Sequence, residues 1–208
     1  MFAIVNRTPL SVALIPAQDA QGRDAVTLLI KGSFRFGGRG VLPELEEEQA
    51  PIVWADEYLG RPGESSVAIE AETSPPAGAT DVALVGQAYA GRKPRAVVDV
   101  GLRVGPLGKR LRVHGDRVWR RRLGTFSATK AEPFTSLPLA YEHAYGGRDE
   151  SHKDPARHAC DQRNPVGRGF IAPGRGAQVE GVALPNIEDP DHEIRKPDDR
   201  PAPAGFGF

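Results

Sequence analysis

The sequence contains a single cysteine, Cys160, so no disulfide can form within the chain. A chain without disulfides is typical of proteins that fold in a reducing compartment. No run of apolar residues approaches the ~20 that a membrane-spanning helix needs, and the apolar runs at the start are only about four residues long, too short for a secretory signal. We therefore expect a cytoplasmic protein that has no membrane partner.

An excess of charge of one sign is also absent. The chain has 27 lysine and arginine residues and 27 aspartate and glutamate residues, so its formal net charge is zero. Such a balance provides no overall field that would attract nucleic acid or a membrane surface. Turn-forming residues, in contrast, are plentiful, with 24 glycines and 19 prolines. That content stays below the level typical of disordered chains and predicts a folded protein with many turns.

The stretch 97–119 gives the clearest structural signal. Apolar residues alternate with polar residues or glycine over 98–104, which is the period-2 pattern of a half-buried strand. A turn follows at Gly105-Pro106-Leu107-Gly108. The return strand alternates two apolar residues, Leu111 and Val113, with three basic ones, Arg110, Arg112 and His114. The pattern predicts an antiparallel hairpin within a larger antiparallel assembly, because a lone hairpin is marginally stable in water.

A second strand signal lies at 25–36. One face of this predicted strand is apolar and carries Val26, Leu28, Ile30, Phe34 and Phe36, with Gly32 as an interruption that predicts a bulge or a close backbone approach. The opposite face carries Thr27, Lys31, Ser33 and Arg35. We expect water or a partner on that polar face.

The remaining strand signals are shorter. They lie at Phe2–Val5, Ser11–Ile15, Ile52–Tyr58, Ser65–Ala71 and Asp81–Ala88. Leu42–Ala50 is compatible with a short solvated helix, Thr73–Thr80 is a predicted loop, and Leu139–Tyr145 can form one or two helical turns. Short strands spaced by ~8–12 residues are typical of a sandwich or an open barrel.

These signals define the predicted fold class. We expect a mainly β protein, an antiparallel β-sandwich or open barrel with a long loop-rich C-terminal region and little helix. The antiparallel scaffold should cover residues 1–125, and the loop-rich extension 126–208 should pack on it to form a single structural domain. The ending PAPAGFGF has no helix or strand signal, which leads us to expect that the natural protein continues beyond it.

Basic residues are concentrated in 103–122, which contains eight arginine and lysine residues but a single acidic one, Asp116. Arg117, Arg120, Arg121 and Arg122 flank Trp119. Three interpretations are open. The stretch can be a solvated strand face that pairs with acidic neighbours such as Glu44–Glu48, a protein interface rich in tryptophan and arginine, or a nucleic-acid-binding surface in a β domain. Zero net charge weighs against the third.

A further candidate cluster combines His143, His152, His158 and Cys160. Its spacing matches no structural zinc pattern, and nearby arginine and lysine residues disfavour a cation, so a small metal-dependent enzyme is an alternative that the pattern does not favour. Cys160, His158 and Asp161 are adjacent in sequence, but neighbours in a loop rarely converge on one atom. No nucleophile elbow and no phosphate-binding loop occurs in the sequence. We therefore expect no catalytic residue, no metal site and no cofactor.

Six short phrases occur in an order that resembles a known family. They are Lys31-Gly32-Ser33-Phe34, Gly115-Asp116-Arg117-Val118-Trp119, PLAYEHAYGG at 138–147, NPVGRGF at 164–170, LPNIEDP at 184–190 and PAGFG at 203–207. Together they resemble domain-of-unknown-function family 2169 (DUF2169), found in Gram-negative bacteria beside type VI secretion genes. The resemblance covers essentially the whole chain.

The resemblance implies a function. Members of that family are similar to adaptors or chaperones that stabilise toxic effectors of the type VI secretion system and help load them on the PAAR-tipped spike. It therefore implies a non-catalytic protein whose partners are a secreted effector and a PAAR or spike protein, and no nucleic acid. Within the phrases, glycine and proline serve turns first. Direct partner contact is predicted for Arg117, Trp119, Arg120, Arg121, Arg122, Arg168 and Phe170.

Overall fold

A computed structural model describes residues 3–19, 21–73 and 80–207 of the chain. Strands dominate this part, and its helical structure is limited to short 3-10 helices. The prediction of a mainly β protein with little helix is confirmed. The described strands form several small sheets, mostly antiparallel, and do not close into a barrel. No helix of the described residues is long and apolar enough to cross a membrane.

The chain divides into two compact units. Unit 1 consists of Met1–Tyr58 and Val67–Ala79, and unit 2 consists of Leu59–Ser66 and Thr80–Phe208. This division does not coincide with the predicted boundary at residue 125, because the hairpin of residues 97–114 and the loop-rich region after residue 126 share one unit.

Unit 1 is built from three two-stranded antiparallel pairs. Its strands are β1 Ser11–Gln18, β2 Asp24–Lys31, β3 Phe34–Arg35, β4 Glu44–Leu45, β5 Glu57–Tyr58 and β6 Val67–Ile69. The largest pair is the β1–β2 hairpin, in register from Ser11↔Lys31 to Gln18↔Asp24. Its turn is fixed by Asp19, whose carboxylate accepts hydrogen bonds from the backbone N–H groups of Gln21 and Arg23.

Several sequence predictions in unit 1 need correction. The helix predicted over Leu42–Ala50 is wrong, since Glu44–Leu45 pairs as a strand with Phe34–Arg35. Of the strand predicted at Phe2–Val5, Phe2 lies outside the described residues and the rest is not a strand. The strands predicted at Ile52–Tyr58 and Ser65–Ala71 shorten to β5 and β6. Most of the loop predicted at Thr73–Thr80 lies outside the described residues.

Unit 2 contains longer strands in its first half and very short ones after residue 138. The strands are β7 Gln87–Tyr89, β8 Val97–Val104, β9 Leu107–His114, β10 Trp119–Arg122, β11 Thr125–Ala128, β12 Ser136–Pro138, β13 Tyr145–Gly146, β14 Arg148–Asp149, β15 Ala159–Cys160, β16 Arg168–Gly169 and β17 Ile187–Glu188. The 3-10 helices are Tyr141–His143, Pro155–Arg157 and Gly176–Val179. The first of these is the helical turn predicted at Leu139–Tyr145, whereas the strand predicted at Asp81–Ala88 is reduced to β7.

The β8–β9 hairpin is the centre of unit 2, and it lies where the sequence predicted it, except that Leu107 and Gly108 of the predicted turn belong to β9. Its register pairs Val98 with Val113 and Val104 with Leu107, so the turn consists of two residues only. Gly105 has a φ of +57°, which favours glycine at the first position of such a turn. β17 pairs with the other side of β9, which gives a sheet of order β17-β9-β8.

Both hydrophobic core clusters lie in unit 2. The first covers the apolar side of β9 and contains Ala88, Leu111, Val113, Leu137, Ile187, Ala204 and Phe206. The second contains Trp119, Tyr145, Ile171, Val179, Leu184 and Ile194. The loop-rich C-terminal region thus supplies nine of the thirteen residues of these clusters, and its irregular backbone is held in place by these apolar side chains.

Candidate functional site

The most densely connected polar residue of unit 2 is Asn186, which is fully buried. Its side-chain amide donates to the carbonyl oxygen of His114 at 3.1 Å and to a carboxylate oxygen of Asp116 at 3.0 Å. Its side-chain oxygen accepts from Arg168 Nη1 at 2.9 Å and lies 3.0 Å from Nδ1 of His143. We call these five residues the Asn186 network. It uses all the hydrogen-bonding capacity of the amide, as a buried amide requires.

The backbone around Asn186 joins the same elements. The N–H of Asn186 donates to His143 O at 2.8 Å, and the N–H of His114 donates to Asn186 O at 2.7 Å. Arg168 Nε donates to Glu142 O at 3.1 Å. Four of the six family-like phrases therefore meet at one buried amide, although their contacting residues lie up to 70 positions apart in sequence. The arrangement fixes β9, β16, β17 and the 3-10 helix Tyr141–His143 to one another.

The carboxylate of Glu142, next to the Asn186 network, binds the short segment of unit 2 that contains Ser66. Glu142 accepts hydrogen bonds from the N–H and the hydroxyl of Ser66, both at 2.7 Å. Burial raises the pKa of the Glu142 carboxyl, but the Ser66 hydrogen bonds outweigh it, so the pKa is lowered overall. The ionised carboxylate thus anchors the segment that contains Ser66.

Arg117 and Glu188 form a buried ion pair behind the network. Arg117 Nη2 lies 2.5 Å from Glu188 Oε1 and also donates to Pro185 O, and Glu188 Oε2 accepts from the N–H of Ile194. Burial raises the pKa of Glu188, and the attraction of Arg117 opposes that rise only in part. Removing one partner of such a pair leaves a buried charge uncompensated, which makes this pair a structural element of the fold.

His114 carries the largest pKa shift of a histidine in this region. Its pKa falls to about 4, because burial disfavours the charged form and the nearby Arg117 guanidinium repels it. Nε2 of His114 is buried, has no hydrogen-bond partner and lies 4.0 Å from a carboxylate oxygen of Glu193. The ring is therefore neutral at physiological pH.

The glycines of the phrases permit close approach of backbone segments. Gly147 has a φ of +94°, and a Cβ at this position would collide with the carbonyl oxygen of Gly167. A Cβ at Gly115 would collide with the carbonyl oxygen of Glu132. Close backbone packing therefore accounts for the glycines at these positions, and no catalytic role is needed to explain them.

The residues predicted to bind partners fall into two groups. Trp119 is only 2% exposed and packs in the second core cluster, and Arg117 is buried in its ion pair. Arg168 belongs to the Asn186 network, and half-buried Phe170 packs under the guanidinium of Arg200. These four residues stabilise unit 2. Because Trp119 and Arg117 are buried, direct contact of these two side chains with a partner is disfavoured.

Arg120, Arg121 and Arg122 remain exposed on β10. Arg120 forms a 3.1 Å ion pair with Glu180, whose carboxylate also accepts from the backbone N–H of Arg121. Their partner-binding role stays a prediction. Elsewhere in 103–122, Arg110, Arg112 and Arg117 also face carboxylates. The described acidic partners come from Asp99 and residues 180–193, not from Glu44–Glu48. Arg103, Lys109, Arg121 and Arg122 form no ion pair among the described residues, so about half of the basic side chains of this stretch keep an unpaired charge.

The histidines and Cys160 do not form one cluster. His143 bonds Asn186, whereas His158 Nε2 contacts His152 O at 2.9 Å in a separate loop. Asp161 is engaged by Arg163 at 2.6 Å, so its carboxylate does not orient His158. Among the residues that the structure describes, no three His, Cys, Asp or Glu side chains are arranged to hold a metal ion.

A site that the sequence did not reveal is the apolar face of the β1–β2 hairpin in unit 1. The alternation was correct, but the face taken for the covered one is the exposed one: Val26, Leu28, Ile30 and Phe34 are 43%, 54%, 58% and 52% exposed. We call these four residues the hairpin face; three of them lie on β2 of the hairpin, and Phe34 lies on β3, three residues after it. Phe36 is more exposed still. Gly32 lies against the side chains of Phe34 and Leu10, and not against another backbone segment as the sequence led us to expect.

The polar face of the same hairpin is covered instead of solvated. Lys31 forms a 2.7 Å ion pair with Glu72 and donates to Pro51 O, while the hydroxyl of Ser11 donates to Ala50 O. The N–H of Ser33 donates to the side chain of Gln49. Segment 49–53 therefore occupies the side on which we expected water or a partner. The sequence signal for this site is the row of apolar residues at alternate positions of β2, and that row does not show which face of the strand is exposed.

Comparison with known proteins identifies the family. Neither a curated protein nor a solved structure matches the chain significantly. Residues 21–208 match the family model described as "Uncharacterized protein conserved in bacteria (DUF2169)". That match includes all six phrases and every residue of the Asn186 network. The chain therefore belongs to the DUF2169 family.

Proposed function

We propose that this protein is a non-catalytic adaptor that binds and stabilises a type VI secretion effector and assists its loading onto the PAAR-tipped spike. The effector and spike partners come from the resemblance of the six phrases, and family membership supports that resemblance. The observation that carries the binding role is the hairpin face. It is a row of large apolar side chains that the described structure leaves open to solvent.

The hairpin face has the chemistry of a protein-binding surface. Contiguous exposed apolar patches on soluble proteins mark sites of interaction, because leaving them in water is unfavourable. Covering the exposed halves of Leu28, Ile30 and Phe34 would contribute about 1 kcal/mol each. The described part of unit 1 contains no fully buried apolar side chain, so this unit gains more from a partner than unit 2 does.

The Asn186 network supports a scaffold role for the rest of the phrases. The side-chain donors and acceptors of Asn186 are satisfied within the chain, and the motif glycines serve close backbone contacts. A well-packed unit 2 and, in unit 1, an exposed apolar hairpin face are what a protein needs in order to hold a partner without transforming it.

Co-expression with tagged candidate effectors and spike proteins tests this proposal. The wild type should co-purify with one effector and keep it soluble. Leu28→Lys combined with Ile30→Lys should abolish capture, because two charges would be placed against the apolar surface of the partner. Leu123→Lys is the matched control, since Leu123 is fully exposed on the β10–β11 turn, outside the hairpin face. It should capture the effector as the wild type does.

Two measurements make the outcome decisive. The double variant must retain the circular dichroism spectrum and melting temperature of the wild type, which separates lost binding from lost folding. If it still captures the effector with unchanged affinity, the hairpin face is not the binding surface. If the effector is soluble and secreted in a strain that lacks this protein, the adaptor function is wrong.

A further inference from the structure

The outer edge of β8 in unit 2 is a second surface that could receive a partner. In the described structure β8 pairs only with β9, so its other edge is open. The N–H of Gly115 donates to Ala96 O, and the two-residue turn makes Val104–Leu107 a hydrogen-bonded pair. Hydrogen-bonded residues alternate along an antiparallel strand, so the even-numbered residues of β8 bond to β9. The backbone groups of Val97, Asp99, Gly101 and Arg103 therefore point outward.

These outward groups have no described partner. No backbone or side-chain hydrogen bond to the N–H or C=O groups of Val97, Asp99, Gly101 and Arg103 occurs in the described residues outside the β8–β9 ladder. Open strand edges of this length are normally blunted by charges, bulges or proline. β8 is unbroken over eight residues and carries only two charges, Asp99 and Arg103.

The two charges are placed symmetrically about Gly101. If two copies of β8 align antiparallel with Gly101 opposite Gly101, each Asp99 faces the Arg103 of the other copy. The same register places Val100 beside Leu102 and Val98 beside Val104 on the apolar side of the sheet. Shifting one copy by two residues removes the charge pairing, so the charges select one register.

The side chains concerned are available for this pairing. Asp99 is 58% exposed although it accepts two hydrogen bonds from Arg112 of its own chain, and its carboxylate retains accepting capacity on the open side. Arg103 is exposed and contacts only the carbonyl oxygen of Gly105 through Nε. Val104 is 44% exposed and would be covered by Val98 of the second copy.

We propose that a second copy of this chain pairs with the β8 edge through this register and extends the sheet across a twofold axis. The interface is isologous, since one strand supplies both halves. A strand pair buries less than the ~1,600 Å² of a standard interface, so association should depend on concentration in the micromolar range. This dimer is independent of effector binding by the hairpin face.

Sedimentation equilibrium of the purified chain over concentrations on the order of 1–500 µM is the first test. The wild type should show a monomer–dimer equilibrium that weakens as salt is added. Arg103→Asp should raise the dissociation constant about tenfold or more, because two attractive pairs become two repulsive ones. Arg110→Asp is the matched control, since Arg110 lies exposed on the same face but one strand away from the edge. Its dissociation constant should equal that of the wild type.

Cysteine cross-linking tests the register in a Cys160→Ser background. A Cβ at Gly101 would make only ordinary contacts, so Gly101→Cys should fold normally. Opposed Gly101 residues lie within disulfide reach, so this variant should form a covalent dimer under mild oxidation, whereas Arg103→Cys, which faces Asp99, should not. A chain that stays monomeric throughout, equal cross-linking by both variants, or an edge occupied only when effector is present would overturn the proposal.

Discussion

At the scale of single residues, the neutral His114 makes stability depend on pH. Its folded-state pKa is about 4, below its ordinary value of 6.5. Between pH 4 and pH 6.5 the imidazole is therefore protonated in the unfolded chain and neutral in the folded chain. The free energy of unfolding should therefore fall by up to about 3 kcal/mol as pH drops from about 6.5 to 4, and this group adds no further loss below that.

Urea unfolding at several pH values between about 7 and 4.5 tests this prediction. His114→Gln cannot bind the proton, so its free energy of unfolding should decline less steeply over the interval. His192→Gln is the comparison variant. His192 is exposed, and its hydrogen bond with Asp189 raises its pKa, so its removal should not flatten the curve. Identical slopes for wild type and His114→Gln would contradict the burial of a neutral ring.

Asn186 should be the most sensitive polar residue of unit 2. Asn186→Ala leaves four groups without the amide that joins them. The exposed Asp116 carboxylate regains water, whereas each buried group left unsatisfied costs about 1–3 kcal/mol. We expect a loss of about 2–4 kcal/mol after partial rehydration, measured by urea unfolding. Asn6→Ala, which removes only hydrogen bonds on the surface, should lose less than about 1 kcal/mol. A loss of similar size in both variants would remove the special role of Asn186.

At the scale of elements, β10 carries a buried side chain, Trp119, and an exposed one, Arg121, two residues apart. Trp119→Ala should destabilise unit 2 by about 3–5 kcal/mol, because it empties the centre of the second core cluster. Arg121→Ala should change stability by less than about 0.5 kcal/mol, because its side chain is exposed. Thermal melts of both variants, followed by partner capture at a temperature where both are folded, separate the two roles.

The outcome on β10 decides between core and interface. If Arg121→Ala alone loses partner capture with an unchanged melt, the exposed arginines of β10 contribute to binding as the sequence predicted. A Trp119→Ala variant that melts like the wild type would show that the indole does not support the core.

The two hairpins show what the sequence could establish about elements and what it could not. The β8–β9 hairpin was predictable because alternation and a Gly-Pro turn are local signals. Its register was not, because the predicted turn at 105–108 would pair Val104 with Lys109, whereas Val104 pairs with Leu107. The β1–β2 hairpin has an equally clear alternation, but alternation does not tell which face is covered. That depends on segment 49–53, which is distant in sequence and has no periodic pattern.

The Asn186 network was out of reach for the same reason. Its members were all visible as unusual phrases, but a hydrogen bond between residues about 70 positions apart leaves no pattern in either segment. Irregular loops with many glycines and prolines predict turns, and the partner of each turn is set by tertiary packing. The sequence therefore identified the phrases from which unit 2 is built, but it did not show that they meet at Asn186.

At the scale of the whole molecule, the two units differ in how they are stabilised. Unit 2 contains both hydrophobic clusters and the buried polar network. The described part of unit 1 relies on strand pairing, surface ion pairs and half-buried side chains, with its largest apolar side chains exposed. A ligand that binds only the folded form of a unit stabilises it, so a partner should raise the stability of unit 1 more than that of unit 2.

Hydrogen exchange of the purified chain, alone and with its co-purifying effector, tests the central claim most directly. The account predicts that bound effector slows amide exchange over Ser11–Gln18 and Asp24–Lys31, while the core strands of unit 2 exchange as slowly as before. Slowed exchange confined to unit 2, or no complex with any encoded effector, would contradict the claim that the hairpin face holds the partner.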